Sequence, residues 1–115
     1  MEVDSWPSEW LRGVLGPAVL SIISEGETYG YLIAQRLEQG GLGQVKGGTL
    51  YPLLARYEAA GHLVATWQDG DGGPGRKFFK ITDQGRDELA RIRGRWAEFS
   101  RLASTIIHSS KEHRD

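Results

Sequence analysis

The sequence predicts a mostly α fold with a small β-hairpin wing: a winged helix-turn-helix followed by a long C-terminal dimerisation helix. Three observations carry that prediction. Two segments of helical period are joined by the Gly-rich stretch 39–43, Q-G-G-L-G, and the second opens on G-G-T-L-Y-P. Two β-rich runs, 63–68 and 76–81, flank the flexible sequence D-G-D-G-G-P-G. The last segment spaces Leu89, Ile92, Trp96, Phe99, Ala103 and Ile106 alternately by three and four, a heptad seam longer than one small core can use.

At 115 residues the chain is long enough for one core and too short for two. Its apolar content of 39% and charged content of 25% are those of a soluble globular chain. The lack of cysteine excludes disulfides and thiolate metal sites and suits a reducing cytoplasm. No apolar run approaches the length of a membrane span, and the acidic start M-E-V-D-S-W-P lacks the order of a signal peptide. A cytoplasmic protein with no membrane partner is therefore expected. The net charge of −1 argues against a protein that coats nucleic acid. Locally, however, Lys46, Arg56, Arg76, Lys77 and Lys80 outnumber Glu58, Asp69 and Asp71 across 46–80. Counterion release depends on such local excess, and a dimer would present it twice.

Taken in order, 8–24 reads as a helix whose stripe is Leu11, Val14, Leu15, Ala18, Val19, Ile22 and Ile23. Gly16-Pro17 either kinks it or divides it in two. Trp6 and Trp10 precede the stripe and belong to the core or cover a partner chain. After a turn at 24–27, Thr28 is expected to cap a second helix to about Glu38, with Tyr29, Ile33 and Leu37 inward and Tyr31 and Gln35 outward. The loop 39–43 stops it. The next helix runs towards Gly61, with Gly48 or Thr49 as its N-cap. Leu50, Leu53, Leu54 and Tyr57 share its buried face; Gly48, Tyr51, Pro52, Ala55 and Arg56 fall on the other. Pro52 is expected in the first turn, where its missing N–H is not needed. Strands at 63–68 and 76–81 form the wing, and Thr82-Asp83 cap the last helix.

Catalysis has no support. His62, His108 and His113 are far apart and share no metal-ligand spacing, no Gly-Lys-Ser/Thr follows the Gly-rich tip, and no base and nucleophile are paired. No metal, cofactor or enzymatic activity is expected. The nucleic-acid constellation is fuller. Gly48, Thr49, Tyr51 and Pro52 stand at the exposed start of the helix that enters the major groove in such folds. Tyr51 offers a hydroxyl and an apolar ring to a phosphate, base edge or thymine methyl. Arg56 and Lys46 are placed as phosphate clamps, and Arg76 and Lys77 as contacts to the flanking backbone or minor groove.

The run G-T-L-Y-P-L-L-A-R-Y-E-A-A-G-H-L-V, then Trp67, a Gly-rich gap and G-R-K-F-F-K-I-T-D-Q-G-R-D-E-L resemble, in that order, the PadR family of bacterial transcription regulators. The resemblance extends from about Leu11 to Leu89. It implies a winged helix dimerised through the C-terminal helix with help from the first, so that Leu11 and Leu15 join Leu89, Ile92, Trp96, Phe99, Ala103 and Ile106 at the interface. It implies that Gly48, Thr49, Tyr51 and Pro52 read operator DNA and that basic wing residues touch its backbone. Gly30-Tyr31 matches the family's G-Y motif, which places Tyr31 and Gln35 near phosphates. Two positions depart from the pattern: Tyr57 replaces a usual leucine, and Asp69 and Asp71 would repel phosphate at the wing tip. Some small members hold flat aromatic compounds against a tryptophan of this helix. Trp96 stands at the similar place, with Trp10, Leu15 and Phe99 as candidate neighbours; filling the dimer core is its other reading.

These readings divide the chain into a winged helix-turn-helix, 1–81, and a dimerisation helix with a short tail, 82–115. They lead to a sequence-specific, ligand-responsive repressor acting as a homodimer on double-stranded operator DNA. The alternative is a winged-helix protein-interaction or small-molecule-binding module without specific DNA binding.

Overall fold

The apolar stripe of the first segment decides the centre of the molecule. Helix α1 (Ser8–Ser24) buries Leu15, Val19, Leu20 and Ile23. Around them pack Ile33 and Leu37 of α2 (Gly30–Gln39), Leu50, Leu53 and Leu54 of α3 (Gly47–Ala59), and Leu63, Phe79 and Ile81 of the sheet. Burying each such side chain contributes about 1.5–3 kcal/mol relative to leaving it in water. The computed structural model describes residues 6–70 and 72–110. The expected contribution of Asp71 to the wing tip lies outside them. Among the described residues no helix is long and apolar enough to cross a membrane.

The sheet has three antiparallel strands in the order β1 (Thr28–Tyr29), β3 (Gly73–Ile81), β2 (Leu63–Gly70). The wing strands are longer than the periodicity suggested, because the glycines beyond Gln68 and before Arg76 still pair across the hairpin. Strand β1 was not anticipated. Thr28 pairs with Phe79 and Tyr29 with Phe78, so the two residues extend the wing sheet instead of opening a helix. Thr28 is therefore no cap, and α2 begins at Gly30 after an extended Tyr29. Tyr29 packs on Phe78, ring centroids 5.0 Å apart, and not on the inward face of α2.

Helices α2 and α3 end alike. Gly41 and Gly61 take φ of +97° and +83°, which suits glycine. The next N–H then reaches back to the last turn: Leu42 N to Leu37 O at 3.0 Å and His62 N to Tyr57 O at 2.9 Å. These closures end each helix sharply, α2 before the loop to α3 and α3 before β2.

Both internal prolines sit deeper than expected. Helix α1 runs through Gly16-Pro17 without dividing. The carbonyl left free by Pro17 is that of Gly13, on the exposed face where water can bond it. Helix α3 starts at Gly47 after Lys46, whose carbonyl accepts from Thr49 N and Leu50 N, so neither Gly48 nor Thr49 is the N-cap. Pro52 consequently falls in the second turn, and the carbonyl it leaves free belongs to the exposed Gly48.

Helix α4 (Asp83–Ile107) is capped as expected: Thr82 Oγ1 accepts from Gly85 N at 3.0 Å. Its first half belongs to the core through Leu89 and Ile92, and Arg93 donates to Ser21 Oγ of α1 at 2.9 Å. Its second half leaves the core behind.

Candidate nucleic-acid interface

The three-and-four spacing of Leu50, Leu53 and Leu54 turns one face of α3 inward, and Gly48, Thr49, Tyr51, Pro52, Ala55 and Arg56 are consequently all exposed on the other. Two neighbours complete this surface. On one side Tyr31 and Gln35 of α2 and Lys46 line a common groove of about 310 Å³ with Glu38, Gln44 and Val45. Tyr31 is well exposed there. The groove is thus mixed in charge, with Lys46 as its cation and Glu38 as its acid.

On the other side stands the wing, and the two basic residues assigned to it part company. Side chains alternate across a strand. Lys77 pairs with Trp67, and both share the face of Leu63, Ala65, Phe79 and Ile81, which looks towards the helices. Lys77 Nζ lies 3.2 Å from Glu58 Oε1 near the end of α3. Arg76 pairs with Gln68 on the opposite face, its guanidinium 4.9 Å from the centroid of the Tyr29 ring. One flat surface cannot take both residues.

Two features escaped the sequence reading. Trp67, taken as a strand former, is 72% exposed on the same face as Lys77. The ring of Tyr51 does not project freely: it lies against Gly30 of α2 and Gly47 of its own helix. A tyrosine one turn after a glycine signals the second contact, while nothing local signals the first.

The expected interface residues fall into three groups. Leu15 and Leu89 are sealed in the chain's own core, at 6% and 4% exposure, so neither has surface to offer a partner; the short core takes the first turns of the heptad spacing for itself. Leu11, Ile92 and Ala103 are half-buried. Trp96, Phe99 and Ile106 are exposed along the second half of α4, together with Leu102 and Ile107, which were not among the expected residues.

The four candidate effector neighbours also separate. Trp96 borders a cleft of about 240 Å³ between α1 and α4, with Val14, Pro17, Ala18 and Ile92. It also borders an outer depression of about 270 Å³ with Arg91, Arg95 and Phe99. Leu15 instead borders a cleft between α1 and the start of α3, with Leu11, Arg12, Lys46 and Thr49. Trp10 packs against Trp6, centroids 6.2 Å apart, and Trp6 Nε1 donates to the Gly41 carbonyl at 2.7 Å. Of these four, Trp96 and Phe99 are neighbours within the chain, at 5.9 Å between centroids.

Known proteins share this arrangement. The profile of the transcriptional regulator PadR-like family matches residues 19–91. The transcriptional regulator Rv3488 of Mycobacterium tuberculosis is 33% identical over 93 residues, which span 81% of this chain and 85% of that protein. A PadR-like transcriptional regulator from Bacillus cereus has a crystal structure similar to this one, with a TM-score of 0.77 at 32% identity, covering 89% of this chain and 99% of that one. A PadR-family regulator from Eggerthella lenta gives a TM-score of 0.79 at 30% identity, covering 90% and 89%. With the winged helix, the exposed G-T-L-Y-P turn and a match over most of its length, this chain belongs to the PadR-like family of transcriptional regulators.

Proposed function

We propose that the chain is a homodimeric, sequence-specific DNA-binding repressor, released from its operator by a small flat aromatic compound. The observation that carries the reading is the exposed face of α3, where Gly48, Thr49, Tyr51, Pro52 and Arg56 all face solvent, with the exposed Lys46 just before them. Small residues and free N–H groups at a helix start admit close approach of a phosphate or base edge. Arg56 and Lys46 supply phosphate clamps, and Lys77, with the exposed Trp67, meets the flanking backbone. Arg76 serves a neighbouring stretch of backbone on the far side of the wing. Tyr31 and Gln35 contact phosphate from α2.

The apolar face of Trp96, Phe99, Leu102 and Ile106 supports the homodimer, since exposed apolar surface of that extent calls for a partner. A second copy of α4, assisted by Leu11 of α1, is the economical one. Trp96, bordering two depressions, is where a flat ring would stack. Wedged between protomers, such a ligand alters the spacing of the recognition helices and so the fit to both half-sites.

The test is a random-sequence DNA selection followed by fluorescence anisotropy at two salt concentrations. A preferred pseudo-palindromic site is expected, with affinity falling steeply as salt rises. Alanine at Tyr51 and Arg56 should collapse that binding. A selection that returns no preferred site would leave a winged-helix interaction module in its place. For the effector, planar aromatic dyes should quench tryptophan fluorescence and lower operator affinity, and Trp96→Ala should abolish both effects.

A further inference from the structure

We infer that Gly30 is the positioning residue for Tyr51: the place of the glycine's missing side chain is the seat of the tyrosine ring. The inference rests on the DNA-binding reading for its purpose and on packing alone for its geometry. A Cβ built on Gly30 would lie 2.6 Å from Tyr51 Cζ and 2.8 Å from Cε1, and closer still to the hydroxyl oxygen. The opposite edge of the ring rests on Gly47, where a Cβ would meet Cδ2 at 3.4 Å and Cε2 at 3.5 Å. One aromatic ring thus bridges the first residue of α2 and the first residue of α3.

Backbone freedom does not account for the glycine. Gly30 has no positive φ and is the first residue of a helix, where alanine is the better helix former. It is buried, yet Tyr51 remains 53% exposed. The contact therefore leaves one surface of the ring open to solvent while fixing its orientation. A tyrosine on an isolated exposed helix samples several rotamers and must give them up when it binds. Here the restriction is imposed by folding, before any DNA arrives. Because the hydroxyl end lies against α2, the ring's open face is what meets the groove. That face suits an apolar contact such as a thymine methyl.

The test combines Gly30→Ala, Tyr51→Ala and the double variant, read by anisotropy on the selected operator and by NMR without DNA. In the free protein the Gly30 α-protons should be shifted by the ring current of Tyr51, and Tyr51→Ala should remove that shift. On DNA, Gly30→Ala should weaken operator binding about three- to tenfold, the cost of ordering one side chain afresh. In the Tyr51→Ala background Gly30→Ala should weaken it no further. Absence of the ring-current shift overturns the seat. A Gly30→Ala loss that persists undiminished without Tyr51 overturns the positioning role, because the methyl group then acts through helix packing. Should the shift be present while the selection returns no operator, the DNA-binding reading falls and the seat remains. Both NMR samples keep Gly30, so that arm holds even if Gly30→Ala folds poorly.

Discussion

Gly85, in the first turn of α4, stands directly against the backbone carbonyl of His62. A methyl group on Gly85 would lie 3.0 Å from that carbonyl carbon and 2.7 Å from Ile81 Cγ1, and nearer still to the oxygen. The same joint is tied by Thr82, whose N–H donates to His62 O at 3.1 Å and whose Oγ1 donates to Gly61 O at 2.6 Å. The end of α3, the sheet and the start of α4 therefore meet in one tight joint.

Backbone cannot give way as a flexible side chain can. Gly85→Ala should destabilise the fold by about 1–3 kcal/mol, the usual range for overpacking a tight site. Thr82→Val, which removes the cap and the bond to Gly61, should cost about 0.5–2 kcal/mol. Urea unfolding followed by circular dichroism measures both.

Two halves of one helix should respond differently to mutation. Phe99→Glu and Ile106→Glu alter residues that are exposed in the protomer, Ile106 to 76%. Both should yield folded monomers by light scattering, with specific DNA binding much reduced. Leu89→Ala removes a core side chain and should instead cost about 2–5 kcal/mol of protomer stability. A dimeric, stable Phe99→Glu variant would place the interface elsewhere.

Tyr57 should give the protein an alkaline limit. Burial first, and then the nearby Glu88 carboxylate, raise its phenol above the ordinary 10.0, against a smaller opposing effect of Arg56. Between the unfolded and the folded pKa the folded state holds more protons than the unfolded one, so stability falls as pH rises through that interval. Below about pH 10 this contribution is constant. Urea melts from pH 8 to 11 should show the decline, and Tyr57→Phe should flatten it.

The pair between Lys77 and Glu58 is more than a third exposed at each side chain. Its effect on stability should be small, under about 1 kcal/mol. Glu58→Gln should nevertheless tighten DNA binding a few-fold, since it frees the wing lysine and removes a negative charge from the surface proposed to meet DNA. Anisotropy at low salt measures this, and an unchanged affinity would remove Lys77 from the contact.

Much of this was legible in the residues. The exposed and buried faces of α3 follow from the spacing of Leu50, Leu53 and Leu54, and the Thr82 cap from local chemistry. Strand β1 was not legible: Thr28 and Tyr29 are strand residues only because Phe78 and Phe79 lie alongside. The seam of α4 was read correctly as periodic. Periodicity does not say how many of its turns the protomer's own core consumes. The same holds for Arg76 and Lys77, adjacent in sequence and opposed across the sheet.

The sequence by itself determined the helices and the two wing strands, their order, and which face of each helix is apolar, because these depend on contacts within a turn or between neighbouring strand residues. Tertiary structure decided where the glycine at 30 meets the ring at 51, which leucines of α1 and α4 are sealed inside, and which basic residue stands beside α3. Those depend on how separate elements approach one another. Close packing fixes that approach to within a methyl group, and no single segment contains the information.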